Sequence, residues 1–208
     1  MKEFWNEMLT DESWKKLVEL SKEFDFTVIG GWAAYLWTKT HKSKDIDFVT
    51  DYQQLIKLRK KFDVQKNDFL KKYEIKFDKF DADIYLPSYS PLVIPPQDIL
   101  SDYCTKVDGI KTVTPEALLV LKQAAEIDRR ASVKGKKDAI DIITLLIHAD
   151  VCLKKYKQIL EKYGLRKFAG ELLFVVKNFD DQYIEFIGLD FKQFRDWRKK
   201  TIVELKKL

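Results

Sequence analysis

The sequence predicts an α+β protein: a small mixed β-sheet flanked by helices, followed by an all-α C-terminal helical part. Three observations predict it. Short runs with polar–apolar alternation are confined to the chain before about residue 113. The last two of them flank Asp108-Gly109, a hairpin turn signal. From Thr114 to Leu208 only helical periodicity is found. The change of pattern divides the chain into a core domain over residues 1–112 and a helical domain over 113–208.

Each element follows from local chemistry. Thr10 and Asp11 are placed to cap a first helix, whose Trp14, Leu17, Val18 and Phe24 keep a helical period. The β-prone run Phe26-Thr27-Val28-Ile29 stops at Gly30-Gly31, and a brief helix, Trp32 to Thr38, starts on the glycines. The polar loop His41-Lys42-Ser43-Lys44 leads into Asp45-Ile46-Asp47-Phe48-Val49, which alternates like a strand. Tyr52 to Phe62 is a Lys-rich amphipathic helix. A second alternating run extends from Tyr73 through Leu86 and ends at Pro87; Pro91, Pro95 and Pro96 mark an irregular segment. Tyr103–Val107 and Ile110–Val113 form the hairpin, and Thr114-Pro115-Glu116 opens a helix with Thr as cap and Pro at its first position. The remaining helices are broken at Gly135, Gly164 and Gly188.

Composition narrows the class. A hydrophobic fraction of 46% excludes wholesale disorder. The net charge of +5 suits a polyanionic ligand such as a triphosphate or RNA, and equally a Lys-rich surface. Cys104 and Cys152 lie far apart without zinc-site spacing, which points to a reducing compartment. The N-terminal stretch MKEFWNEMLTDESW has no apolar core of a signal peptide, and no stretch approaches the roughly 20 apolar residues that span a bilayer. A cytoplasmic protein without membrane partners is expected.

Three features carry chemistry. At Gly30-Gly31, missing side chains let backbone N–H groups at a helix start approach a phosphate; the alternative is a tight strand-to-helix turn. Asp45 and Asp47, two apart in a strand, project to one face while Ile46 and Phe48 enter the core. Paired carboxylates repel unless a cation lies between them, and magnesium favours such oxygens together with substrate phosphates. In Phe80-Asp81-Ala82-Asp83-Ile84-Tyr85-Leu86 a third acid can complete the set. Asp83, directly before an apolar run, is preferred, with Asp81 on the same face as the alternative.

The order Val28-Ile29-Gly30-Gly31-Trp32-Ala33, then His41-Lys42-Ser43-Lys44-Asp45-Ile46-Asp47-Phe48, then a further strand acid resembles the polymerase-β-type nucleotidyltransferase superfamily, in particular its minimal and abortive-infection toxin-like branch. Thr114 to Lys122 resembles the helix that follows the catalytic sheet there, and Lys137-Asp138 with Asp141-Ile142 a segment of the next helix. The likeness covers roughly residues 26 to 147. It implies a nucleotidyltransferase fold, with Asp45, Asp47 and Asp83 as catalytic and metal-binding residues for Mg2+ or Mn2+. Gly30, Gly31, Ser43, Lys44, Lys122 and Arg129 would contact a nucleoside triphosphate such as ATP. For Asp138 and Asp141 a salt bridge or cap is favoured over metal ligation. Two departures stand out. Gly31 lies where the family often has Ser, and His41 where it usually has Arg, so a hydroxyl contact and a fixed positive charge are missing.

The implied activity is transfer of a nucleoside monophosphate to an RNA, protein or small-molecule acceptor with release of pyrophosphate. The competing readings are a nucleotide-binding module without turnover and a toxin–antitoxin partner protein. No motif identifies the base or the acceptor.

Overall fold

In a computed structural model, residues 7–208 are described. The first six residues of the N-terminal stretch read above for a signal lie outside them. The chain divides into two compact units, one ending at Thr114 and the other spanning Pro115–Leu208. The class is α+β, as the sequence predicts. Among the described residues no helix is long and apolar enough to cross a membrane.

The first unit holds a seven-stranded sheet: β1 (Thr27–Ile29), β2 (Ile46–Val49), β3 (Val64–Asn67), β4 (Lys72–Lys76), β5 (Asp81–Tyr85), β6 (Cys104–Val107) and β7 (Ile110–Val113), in the order β3-β4-β5-β2-β1-β7-β6. β1 is antiparallel to β2 and parallel to β7, and β2 is parallel to β5. Helices α1 (Glu7–Glu23), α2 (Gly30–Thr38), α3 (Tyr52–Lys61) and α4 (Pro96–Ser101) complete the unit. α2 packs on β1, β2 and β7. Trp32 on α2 is fully buried, lies tilted against Trp14 at 5.0 Å between centroids, and donates from Nε1 to Ser13 Oγ at 2.9 Å, which ties α2 to α1.

Several expectations need correction. Thr10 and Asp11 do not cap α1; they lie within it, and Asp11 instead pairs with Lys42 at 2.5 Å. The single run from Tyr73 to Leu86 is two antiparallel strands, β4 and β5. Its turn lacks Gly and Pro. Phe77 N–H donates to Phe80 O at 3.0 Å, and the two rings lie 4.9 Å apart, so apolar residues continue through the bend and hide it. β3 carries no strand signal in the sequence, because Val64-Gln65-Lys66-Asn67 is an edge strand with mostly polar side chains. α4 forms where only an irregular segment is expected; Pro96 occupies its first position. At the Asp108-Gly109 hairpin both residues take positive φ, 50° and 80°, as the tight turn requires.

The second unit consists of α5 (Pro115–Arg129), α6 (Val133–His148), α7 (Leu153–Lys162), α8 (Lys167–Asn178), a 3₁₀ turn (Asp181–Phe186) and α9 (Phe191–Leu205). Gly135 does not break a helix as expected. It lies in the first turn of α6, where Ser132 Oγ accepts from its N–H at 3.0 Å, and a Cβ there would stand 2.8 Å from Arg130 Cα. The glycine permits the close approach of α6 to the end of α5. In the interior, Tyr156 Oη donates to Gln123 Oε1 at 2.6 Å, and Gln123 Nε2 donates to Phe168 O at 2.9 Å.

Candidate active site

β1 ends on the diglycine, and Gly30 has a φ of +68°, a conformation that disfavours any side chain. α2 begins there with Ile29 as its cap residue, whose apolar side chain makes no cap bond. Across the β1–β2 ladder Ile29 lies opposite Asp47. The approach is so close that a Cβ on Gly30 would stand 2.8 Å from Asp47 Cγ and 2.9 Å from its Cβ. Gly30→Ala should therefore lower unfolding free energy by about 2–4 kcal/mol, backbone strain adding to the collision. Chemical denaturation checks this, and a loss below about 0.5 kcal/mol contradicts it.

Strand pairing sets the rest of the face. Asp47 is in register with Asp83 on β5, and Asp83 with Glu74 on β4, which in turn is in register with Gln65 on β3. Residues opposite one another project to the same side of a sheet. A row Asp47–Asp83–Glu74 thus crosses three strands, while Ile46, Phe48, Ala82 and Ile84 on the opposite face are fully buried. Asp45, one residue before β2, accepts from Asp81 N–H at 3.4 Å. Asp45, Asp47 and Asp83 are each half-buried, whereas Asp81 is exposed. Glu74 is not marked by the sequence pattern because β4 and β5 read as one continuous run; its alternation with Lys72 and Lys76 is the signal that the sequence offers.

Asp83 is not an open carboxylate. Lys72 Nζ on β4 donates to its Oδ2 at 2.5 Å and stands 3.1 Å from Glu74 Oε1. Asn67 Nδ2 donates to Glu74 Oε1 at 2.9 Å. Burial pushes the Asp83 carboxyl above its ordinary range; the Lys72 ammonium opposes this without cancelling it, and the charges of Glu74 and Asp45 add to the rise. For Lys72 burial works against the charged form, but the bonds to Asp83 and Glu74 outweigh it and the ammonium is held above its usual range.

Other anticipated residues fall in two places. Ser43 is buried and Lys44 half-buried in the loop before β2. Lys122 and Arg129 belong to the second unit. Lys122 Nζ stands 2.6 Å from Asp141 Oδ2 and 3.4 Å from Asp138 Oδ1, and Arg129 Nε donates to Asp138 Oδ2 at 2.7 Å. The 2.6 Å contact is a close ion pair, although Asp141 Oδ2 lacks the alignment of a hydrogen bond. Lys122, Asp138 and Asp141 are all buried.

As donors for a divalent cation, Asp45 and Asp47 fit: they are hard oxygen ligands carried on one strand face beside a helix start. Asp83 fits less well, because an ammonium already neutralises it. Among the described residues no group of three or more His, Cys, Asp or Glu is arranged to hold a metal ion. Magnesium commonly takes one or two carboxylates and completes its shell from phosphate and water.

No family model matches the chain, and no curated protein matches it. Solved structures do. A candidate nucleotidyltransferase from H. pylori superposes with a TM-score of 0.51 at 15% identity, over 96% of this chain and 96% of that one. A nucleotidyltransferase-like antigenic protein from Paracoccidioides brasiliensis aligns more loosely, with a TM-score of 0.41 at 17% identity over 79% of this chain and 91% of the other. The polyadenylate synthase of Megavirus gives 0.44 at 17% identity over 68% of this chain and 31% of that one.

Proposed function

We propose that this chain, built on the nucleotidyltransferase fold, transfers a nucleoside monophosphate from a nucleoside triphosphate to an acceptor hydroxyl. The observation that supports this best is the registered pair Asp47–Asp83 beside a glycine that tolerates no side chain, at a helix start without a side-chain cap. In the reaction the acceptor oxygen bonds the α-phosphorus, the bond from that phosphorus to the bridging oxygen breaks, and pyrophosphate leaves with the electron pair.

Asp45 and Asp47 are the residues that would hold magnesium or manganese, which when bound offsets charge on the triphosphate. The N–H groups at the start of α2, reached over Gly30 and Gly31, receive phosphate oxygens. Ser43 and Lys44 border the same strand and are assigned to the nucleotide side. Asp83 is assigned to the acceptor side, where its carboxylate draws the proton from the attacking hydroxyl. Lys122 and Arg129 receive no phosphate role, since Asp138 and Asp141 already match their charges.

The test uses ATP, GTP, CTP and UTP labelled at the α-phosphate, in magnesium or manganese, with total tRNA and with the protein alone. Label transferred to RNA or to the chain is the expected result. A second reading, nucleotide binding without turnover, draws on the Lys72–Asp83 bridge. Calorimetric binding of a triphosphate with no labelled product under any condition selects that reading over transfer.

A further inference from the structure

Resting on the nucleotidyl-transfer reading, we infer that Lys72 supplies at Asp83 and Glu74 the positive charge that a second divalent ion would otherwise supply, so that the site takes one divalent ion, at Asp45 and Asp47. Glu74 and Asp83 lie directly opposite on neighbouring strands. Like charges in that position repel and destabilise a sheet unless a cation stands between them. Lys72 is that cation, within reach of both carboxylates at 2.5 and 3.1 Å. The arrangement is built rather than incidental. The three side chains are only 13%, 15% and 17% exposed, and Asn67 fixes Glu74 from its far side. A divalent ion entering at Asp83 would take away the shorter of the two contacts of a largely buried ammonium, leave it Glu74 alone, and set a second cation beside it, which opposes entry. Asp45 by contrast accepts a long bond, 3.4 Å, from the Asp81 N–H.

The number of ions is read by manganese electron paramagnetic resonance, titrating Mn2+ into the full chain with a nonhydrolysable α,β-methylene ATP. The wild type should bind one ion per chain. Asp47→Asn should weaken that ion by more than about tenfold, and Asp83→Asn by less than about threefold. Lys72→Met should gain a second ion that Lys72→Met/Asp83→Asn loses again, whereas Lys72→Arg should stay at one. The wild-type and Asp83→Asn measurements decide the matter even if Lys72→Met fails to fold. Two ions in the wild type, falling to one in Asp83→Asn, overturn this inference and leave nucleotidyl transfer standing. No ion in the wild type overturns both.

Discussion

Asp47→Asn should reduce labelled nucleotide transfer by about 10³-fold or more, with the fold intact. The amide keeps the size of the carboxylate, so the contact with Gly30 survives; alanine would lose it. What disappears is one negative charge facing the cation and the triphosphate. Charge stabilisation by a bound metal amounts to several kcal/mol, and each ~1.4 kcal/mol is tenfold in rate. Asp81→Asn is the control. That residue is exposed and pairs in register with Lys76, so its variant should stay within about threefold of wild type. Circular dichroism and an unchanged unfolding midpoint establish that Asp47→Asn is folded. Transfer by it within about tenfold of wild type would remove Asp47 from the chemistry.

The second large effect concerns stability. Lys122→Met should lower unfolding free energy by about 3–5 kcal/mol, because it leaves a buried carboxylate uncompensated. Arg129 remains on Asp138, but Asp141 has its ion pair with Lys122. The methionine fills similar space, so the loss is electrostatic rather than a cavity. Lys122→Met/Asp141→Asn should recover at least about half of it, since the amide carries no charge into the interior. Urea unfolding measures both variants. A loss below about 1 kcal/mol in the single variant would show that water reaches Asp141.

The sequence makes the acids legible before the shape that holds them. Asp45 and Asp47 are readable because strand alternation has a period of two, and Ile46 and Phe48 between and after them have no reason to face water. Their partner across the ladder is readable only as a choice between Asp81 and Asp83, because register depends on a turn that carries no Gly or Pro. Phe77 and Phe80 extend the apolar pattern across that turn, so β4 merges with β5 on paper and Glu74 drops from view. Lys72 is invisible for the same reason: it reaches Asp83 only once β4 folds back along β5. Lys122 and Asp141 show the converse. Their helical spacing is plain, yet whether a buried lysine meets a ligand or its own carboxylates depends on how α5 and α6 pack, which periodicity alone does not encode.

The position of β1 bears on how this molecule reaches its native state. That strand is three residues long and lies inside the sheet between β2 and β7, and Thr112 Oγ1 on β7 donates to Val28 O across a sequence separation of 84. Closing so long a loop carries an entropic cost before any contact offsets it, and pairings of this kind slow folding more than they weaken the product. On the ribosome β1 emerges early and waits for β7. A chain halted before residue 110 lacks β7 and leaves that side of β1 unpaired, so lesions at the β6–β7 hairpin will register first as slow refolding and aggregation.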